Sequence, residues 1–90
     1  MREIFIKIFG DVQGVGFRYQ TVQKARELNL TGWVRNAPDG SVEILAQGSK
    51  ENLEKLAQWA KTGPKIAEVT DMQIEWREMS ASYSDFEISH

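Results

Sequence analysis

An α+β fold, an antiparallel sheet with two helices on one face, is what this 90-residue sequence predicts. Two kinds of periodicity and one order of elements predict it. Apolar residues alternate with a period of two over three stretches, β-favouring Trp33 and Val34 mark a fourth strand, and the period becomes helical over two others. Taken in order these read β-α-β-β-α-β, followed by a short tail strand.

Glu3 to Phe9 alternates, with Ile4, Ile6 and Ile8 on one face and Phe5, Lys7 and Phe9 on the other, so one side of this strand is well buried. The period changes at Phe17. At about 100° per residue, Phe17, Thr21, Val22, Ala25 and Leu28 share a sector, while Tyr19, Gln20, Gln23, Arg26 and Glu27 face away. This helix ends near Asn29, a residue that tolerates the left-handed conformation of a helix terminus. Thr31 to Asn36 reads as the second strand, Pro38-Asp39-Gly40 as a turn, and Val42, Ile44 and Ala46 as the third strand of a hairpin that Gly48 ends. Ser49 is a good N-cap for a second helix with Leu53, Leu56, Ala57 and Ala60 on one face, and Gly63-Pro64 stops it. A fourth strand follows over Glu68–Glu78, then a polar loop from Ser80 to Asp85, then the short strand Phe86-Glu87-Ile88.

Residues 1–90 are expected to form a single domain. Right-handed crossovers are expected to bring strands one and three together as a parallel central pair, the ferredoxin-like split β-α-β arrangement. With strand two drawn antiparallel to strand one, Asn36 falls at the opposite edge of the sheet from the end of strand one. So short a chain buries only about 60–65% of its unfolded surface; its 41% hydrophobic residues, with three tryptophans, suffice for a core.

Charge and missing residue types narrow the function. The net charge of −2 argues against nucleic acid, whose binders carry a basic surplus. Phe5, Phe9 and the tryptophans, aromatics of the kind that stack bases, read as core residues. The apolar run Ile4–Phe9 is too short and too interrupted for a signal peptide or a membrane span, so a cytoplasmic protein without membrane partners is expected. There is no cysteine, and the one histidine is His90, placed as a frayed tail. No spacing suits a metal, and Glu43, Glu51, Glu54, Glu68 and Asp71 read as solvated surface.

The informative stretch is Gly10-Asp11-Val12-Gln13-Gly14-Val15-Gly16-Phe17-Arg18, where a strand runs through glycines into a helix. Such a loop turns successive N–H groups into one concavity, and the helix adds unpaired N–H groups and the positive end of its dipole. Phosphate is the usual ligand of this construction. Arg18 lies in the apolar sector on the first helical turn, where the dipole disfavours a cation. An arginine there makes sense when an anion joins it, gripped by the planar fork of the guanidinium. No Gly-Lys-Ser/Thr follows and no acid closes a second parallel strand, so the P-loop and the Rossmann fingerprint are both disfavoured. Asn36 ends strand two beside a turn, the commonest place for an asparagine, but its amide can also orient a water without titrating. Without a legible general base or covalent nucleophile, phosphoryl transfer by positioning and charge stabilisation fits the inventory. It fits best when the leaving group is a carboxylate, which needs no proton. A non-enzymatic module that only holds phosphorylated metabolites is the alternative.

The run Gly10-x-Val12-Gln13-Gly14-Val15-Gly16-Phe17-Arg18 resembles the first acylphosphatase signature. Gly32-Trp33-Val34-Arg35-Asn36-x-x-x-Gly40-x-Val42-x-x-x-x-x-Gly48 resembles the second, and Asp85-Phe86-Glu87-Ile88 is similar to that family's closing strand. The resemblance implies metal-independent and cofactor-independent hydrolysis of acyl phosphates, with Arg18 at the phosphate-binding position. It implies that Gln13, Gly14, Val15, Gly16 and Phe17 form the backbone cradle and that Asn36 holds the attacking water, with the substrate phosphate helping to take its proton. Inorganic phosphate is then a product and competitor, and a monomer is expected. Asp11 stands where many members carry a basic residue, Asn29 replaces a glycine and Lys65 a proline. Of these, Asp11 bears on the rate, since a carboxylate about 4 Å from an anion in a near-surface dielectric repels it by up to ~4 kcal/mol, and by much less from solvent.

Overall fold

Seven elements follow one another in the computed structural model, which describes residues 1–79 and 81–90. They are β1 (Arg2–Asp11), α1 (Phe17–Glu27), β2 (Thr31–Asn36), β3 (Val42–Gly48), α2 (Lys50–Ala60), β4 (Glu68–Arg77) and β5 (Phe86–Ile88). Ser80, where the expected polar loop begins, lies outside the described residues. The five strands form one sheet in the order β4-β1-β3-β2-β5. Alternation on β1 sends Ile4, Ile6 and Ile8 under the helices, where they meet Val22, Ala25, Leu53, Leu56 and Ala60 in one cluster. All three isoleucines are fully buried, and each contributes about 1.5–3 kcal/mol relative to exposure. The helix ends behave as their residues dictate: Asn29 takes a φ of 56° after α1, and Ser49 caps α2 by accepting a hydrogen bond from the Asn52 amide at 3.2 Å.

Strand direction departs from expectation. β1 and β3 are neighbours, but they run antiparallel, with Ile4 opposite Ala46 and Ile8 opposite Val42. The hairpin explains why. β3 is antiparallel to β2 across the Pro38–Gly40 turn, with Asn36 opposite Val42, and it is inserted between β1 and β2. Both outer strands therefore run the same way, and strand two is parallel in direction to strand one, not antiparallel. Asn36 consequently shares the edge of the sheet at which β1 runs into α1. The only parallel pairing among the described strands is β2 with β5, which makes the sheet mixed.

The face of the sheet away from the helices carries no helix, and two further expectations change there. Phe5, Phe9 and Trp33 are half-buried on this face instead of lying in the core. Their rings are covered by the chain's own cations: Arg77 stands 4.5 Å over Phe5, Arg35 5.3 Å over Trp33 and Lys7 5.8 Å over Phe9. Of the other tryptophans, Trp59 packs against the core and Trp76 is exposed. Glu43 is buried, not solvated, because it sits between two cations on neighbouring strands. Its Oε1 accepts from Arg35 Nε at 2.7 Å and its Oε2 from Lys7 Nζ at 3.1 Å. Burial pushes the Glu43 pKa up, but Arg35 and Lys7 together outweigh burial and leave it lowered. Lys7 also reaches Asp39 in the hairpin turn at 3.0 Å. Among the described residues no helix is long and apolar enough to cross a membrane.

Candidate active site

The loop between β1 and α1 owes its shape to Gly14 and Gly16, at φ 77° and 79°. Both are in the left-handed region that costs an L-residue about 1–2 kcal/mol. Gly16 is also the N-cap of α1 and has no side chain to offer, so no cap hydrogen bond closes the helix, and no acidic residue stands in its first turn. The first intrahelical bond runs from the Gln20 amide to the Gly16 carbonyl at 3.1 Å. The amides before Gln20 therefore have no intrahelical partner, and the positive end of the dipole is left open.

Phe17 fixes this turn to the core. It is 1% exposed, meets Trp59 edge-on with centroids 5.5 Å apart, and its carbonyl accepts from Thr21 Oγ1 at 2.7 Å. With Phe17 anchored inward, the next residue, Arg18, is directed along the rim and is half-buried. Among the described residues Arg18 has no carboxylate partner, whereas Lys7, Arg26, Arg35, Lys55 and Arg77 each have one.

A concavity of about 130 Å³ opens here, lined by Val12, Gly14, Gly16, Phe17, Arg18, Tyr19, Asn36 and Ile88. Arg18 and Asn36 thus stand on one wall system, because β1 and β2 end at the same edge of the sheet. Gly14, Gly16 and Phe17 of the expected cradle line it; Gln13 and Val15 do not. Val15 packs against the core instead, and the Gln13 side chain turns to the hairpin, its Nε2 donating to the carbonyls of Ala37 and Ser41, each at 2.9 Å. Val12, Tyr19 and Ile88 line the cavity beyond the expected residues. The position of Tyr19, next to Arg18 in the uncapped turn, was a legible signal; Ile88 arrives only through the pairing of β5 with β2, which no local pattern announces. Arg26 helps seat β5, donating to the Phe86 carbonyl at 3.1 Å.

Electrostatically the cavity wall carries one cation, one neutral amide and no carboxylate, histidine or thiol. Asp11 is exposed, pairs across the strands with Glu68, and does not line the cavity. A larger concavity of about 380 Å³ lies along β5 beside Trp33 and Tyr83, but its only charged residues are Asp85 and Glu87, which repel an anion.

An open helix N-terminus, an arginine without a carboxylate partner among the described residues and a neutral amide converge on a volume that suits a tetrahedral oxyanion, on an α+β scaffold. Comparison with known proteins identifies the family. The acylphosphatase family model matches residues 4–88. The chain is 48% identical over 73 residues to an acylphosphatase of Thermococcus kodakarensis, covering 81% of this chain and 80% of that one. It is 39% identical over 88 residues to one of Methylococcus capsulatus, covering 98% and 96%. The crystal structure of an acylphosphatase from Bacillus subtilis superposes with a TM-score of 0.96 at 37% identity, over 100% of both chains. The chain belongs to the acylphosphatase family of hydrolases.

Proposed function

We propose that this chain, as a single domain over residues 1–90, hydrolyses the carboxyl–phosphate bond of acyl phosphates without a metal ion. The observation that carries the reading is the convergence of Arg18 and Asn36 on one cavity above the uncapped start of α1. Arg18 and the loop and first-turn amides hold the phosphoryl oxygens. The carboxamide of Asn36 accepts a hydrogen bond from a water and holds it in line with phosphorus. The water oxygen bonds to phosphorus as the bond from phosphorus to the acyl oxygen breaks, and the carboxylate departs without needing a proton. The proton of the water passes to a phosphoryl oxygen, so carboxylate and protonated inorganic phosphate are the products. Donors fixed in advance on the equatorial oxygens gain strength as charge spreads there in the transition state. The wall carries no carboxylate, histidine or thiol to serve as a base, which supports the phosphate itself as proton acceptor.

The partners that follow are a small acyl phosphate and, as product and competitor, inorganic phosphate, acting on a monomer in the cytoplasm. Coverage of Phe5, Phe9 and Trp33 by Arg77, Lys7 and Arg35 weighs against base stacking on the helix-free face.

Benzoyl phosphate hydrolysis by the purified protein, with a chelator present and phosphate as competitor, tests the reading. We expect turnover unchanged by chelator, competitive inhibition by phosphate, and an Asn36→Ala protein that keeps phosphate binding but loses kcat on the order of 100-fold. Phosphate binding without turnover makes the chain an anion-binding module instead. An Asn36→Ala protein as active as wild type removes the water-holding role.

A further inference from the structure

The side chain of Gln13 has no place in the cavity wall, yet it makes two of the few side-chain contacts between the anion loop and the rest of the molecule. Its Nε2 donates to the Ala37 carbonyl and the Ser41 carbonyl, both at 2.9 Å. These two residues form the throat of the β2–β3 hairpin, where the Ala37 amide donates to the Ser41 carbonyl at 2.8 Å. Ala37 directly follows Asn36, and both Ala37 and Ser41 are buried. One amide therefore ties the loop that presents N–H groups to the strand end that presents Asn36.

We propose that Gln13 is a positioning residue that sets the register of Asn36 relative to the anion cradle; this rests on the reading of Asn36 as the holder of the water. The hydrogen-bond inventory favours this over a role in stability. The Ala37 carbonyl also accepts from the Gly40 amide at 3.1 Å, and the Ser41 carbonyl from the Ala37 amide. Neither carbonyl is orphaned when Gln13 is lost. The hairpin itself is closed independently by Asp39, whose Oδ1 accepts from the Ser41 amide at 3.0 Å and whose Oδ2 pairs with Lys7. What the two Gln13 bonds add is a fixed separation between two segments distant in sequence. Glutamine suits that task, since its amide carries two N–H donors, one for each carbonyl. A misplacement of about 1 Å in an in-line attack can cost on the order of 100-fold in rate.

The test is a double-mutant cycle of Gln13→Met, which keeps the length of the side chain and removes both donors, with Asn36→Ala. On benzoyl phosphate we expect Gln13→Met to lose kcat about ten- to a hundred-fold while its phosphate inhibition constant stays within about two-fold of wild type. In the Asn36→Ala background the same substitution should change kcat by less than about two-fold, because the group it positions is gone. Should Gln13→Met fail to fold, Gln13→Leu, which also lacks both donors and adds no charge, carries the same measurements. A wild-type kcat in the folded variant, a raised phosphate inhibition constant with unchanged kcat, or additive losses in the cycle overturns the inference. A wild-type protein inactive on benzoyl phosphate, or a fully active Asn36→Ala protein, instead overturns the reading of Asn36 beneath it.

Discussion

The two helices begin in opposite ways. α2 starts with two devices that stabilise a helix N-terminus, although Lys50 opens it: the Ser49 hydroxyl accepts from the Asn52 amide, and Glu51 puts a negative charge in the first turn. α1 starts with none of them. Its N-cap is a left-handed glycine, its first turn has no acid, and it carries a cation, Arg18, where the dipole disfavours one. The difference is worth on the order of 1–2 kcal/mol of forgone stability, and it is concentrated at the helix start that opens into the cavity we propose for the phosphate. A helix end satisfied by its own side chains has nothing left for a ligand. The site consists in large part of stabilisation withheld.

The largest way to break this contrast is Arg18→Ala, which leaves α1 open but removes its charged fork. We expect kcat/KM on benzoyl phosphate to fall on the order of 1,000-fold, with phosphate inhibition lost in the same assay. Tyr19→Glu sharpens the comparison, because it gives α1 the first-turn carboxylate that α2 has in Glu51. The chain should unfold at a slightly higher temperature, by about 0.3–1 kcal/mol of dipole interaction, while its phosphate inhibition constant rises about ten-fold through charge repulsion near the anion. Stability and binding moving in opposite directions is the signature to seek.

Acid separates the scaffold from both helix starts. The Glu43 pKa lies below its ordinary value of 4.5 in the folded chain, so the stability it contributes is present above that pH and is lost as pH falls through the folded value. Asp39 acts in the same direction, lowered by its hydrogen bonds from Ser41 and Lys7. The Lys7 pKa is raised above 10.5 by hydrogen bonds to Asp39 and Glu43, so its contribution is present below that pH and lost above it. Glu43→Gln should cost about 1–2 kcal/mol at pH 7, between the values for exposed and buried pairs. Denaturant midpoints should then show the variant losing less than wild type between neutral pH and pH 3. The smallest effect is Ser49→Ala, about 1 kcal/mol in denaturant unfolding, with kcat unchanged.

Local chemistry was legible in the sequence. Alternation on β1 separated Ile4, Ile6 and Ile8 from Phe5, Lys7 and Phe9, and the ends at Asn29 and Ser49 followed from what those residues do at helix termini. Strand direction was not. The sequence pairs strand three with both strand one and strand two, but periodicity does not say which way a strand runs, so β1 and β3 are expected parallel where they are antiparallel, and Asn36 falls at the wrong edge. The same gap hid the burial of Glu43, which depends on Lys7 and Arg35 arriving from both sides, and the arrival of Ile88. The sequence marks Gln13 only for its backbone, since nothing local signals that its side chain reaches the hairpin.

The order of strands bears finally on how fast the site can form. Its walls come from the turn after β1, the end of β2 and the end of β5, and they meet only when β3 has paired with β1 and β5 has docked on β2. These are closures of long loops, whose entropy is lost before any contact rewards it, and they place folding among the slower α/β cases. No early local structure contains the cavity. In a refolding experiment, hydrolytic activity should therefore return in the same kinetic phase as Trp59 burial against Phe17, and not in any earlier phase that reports helix formation alone.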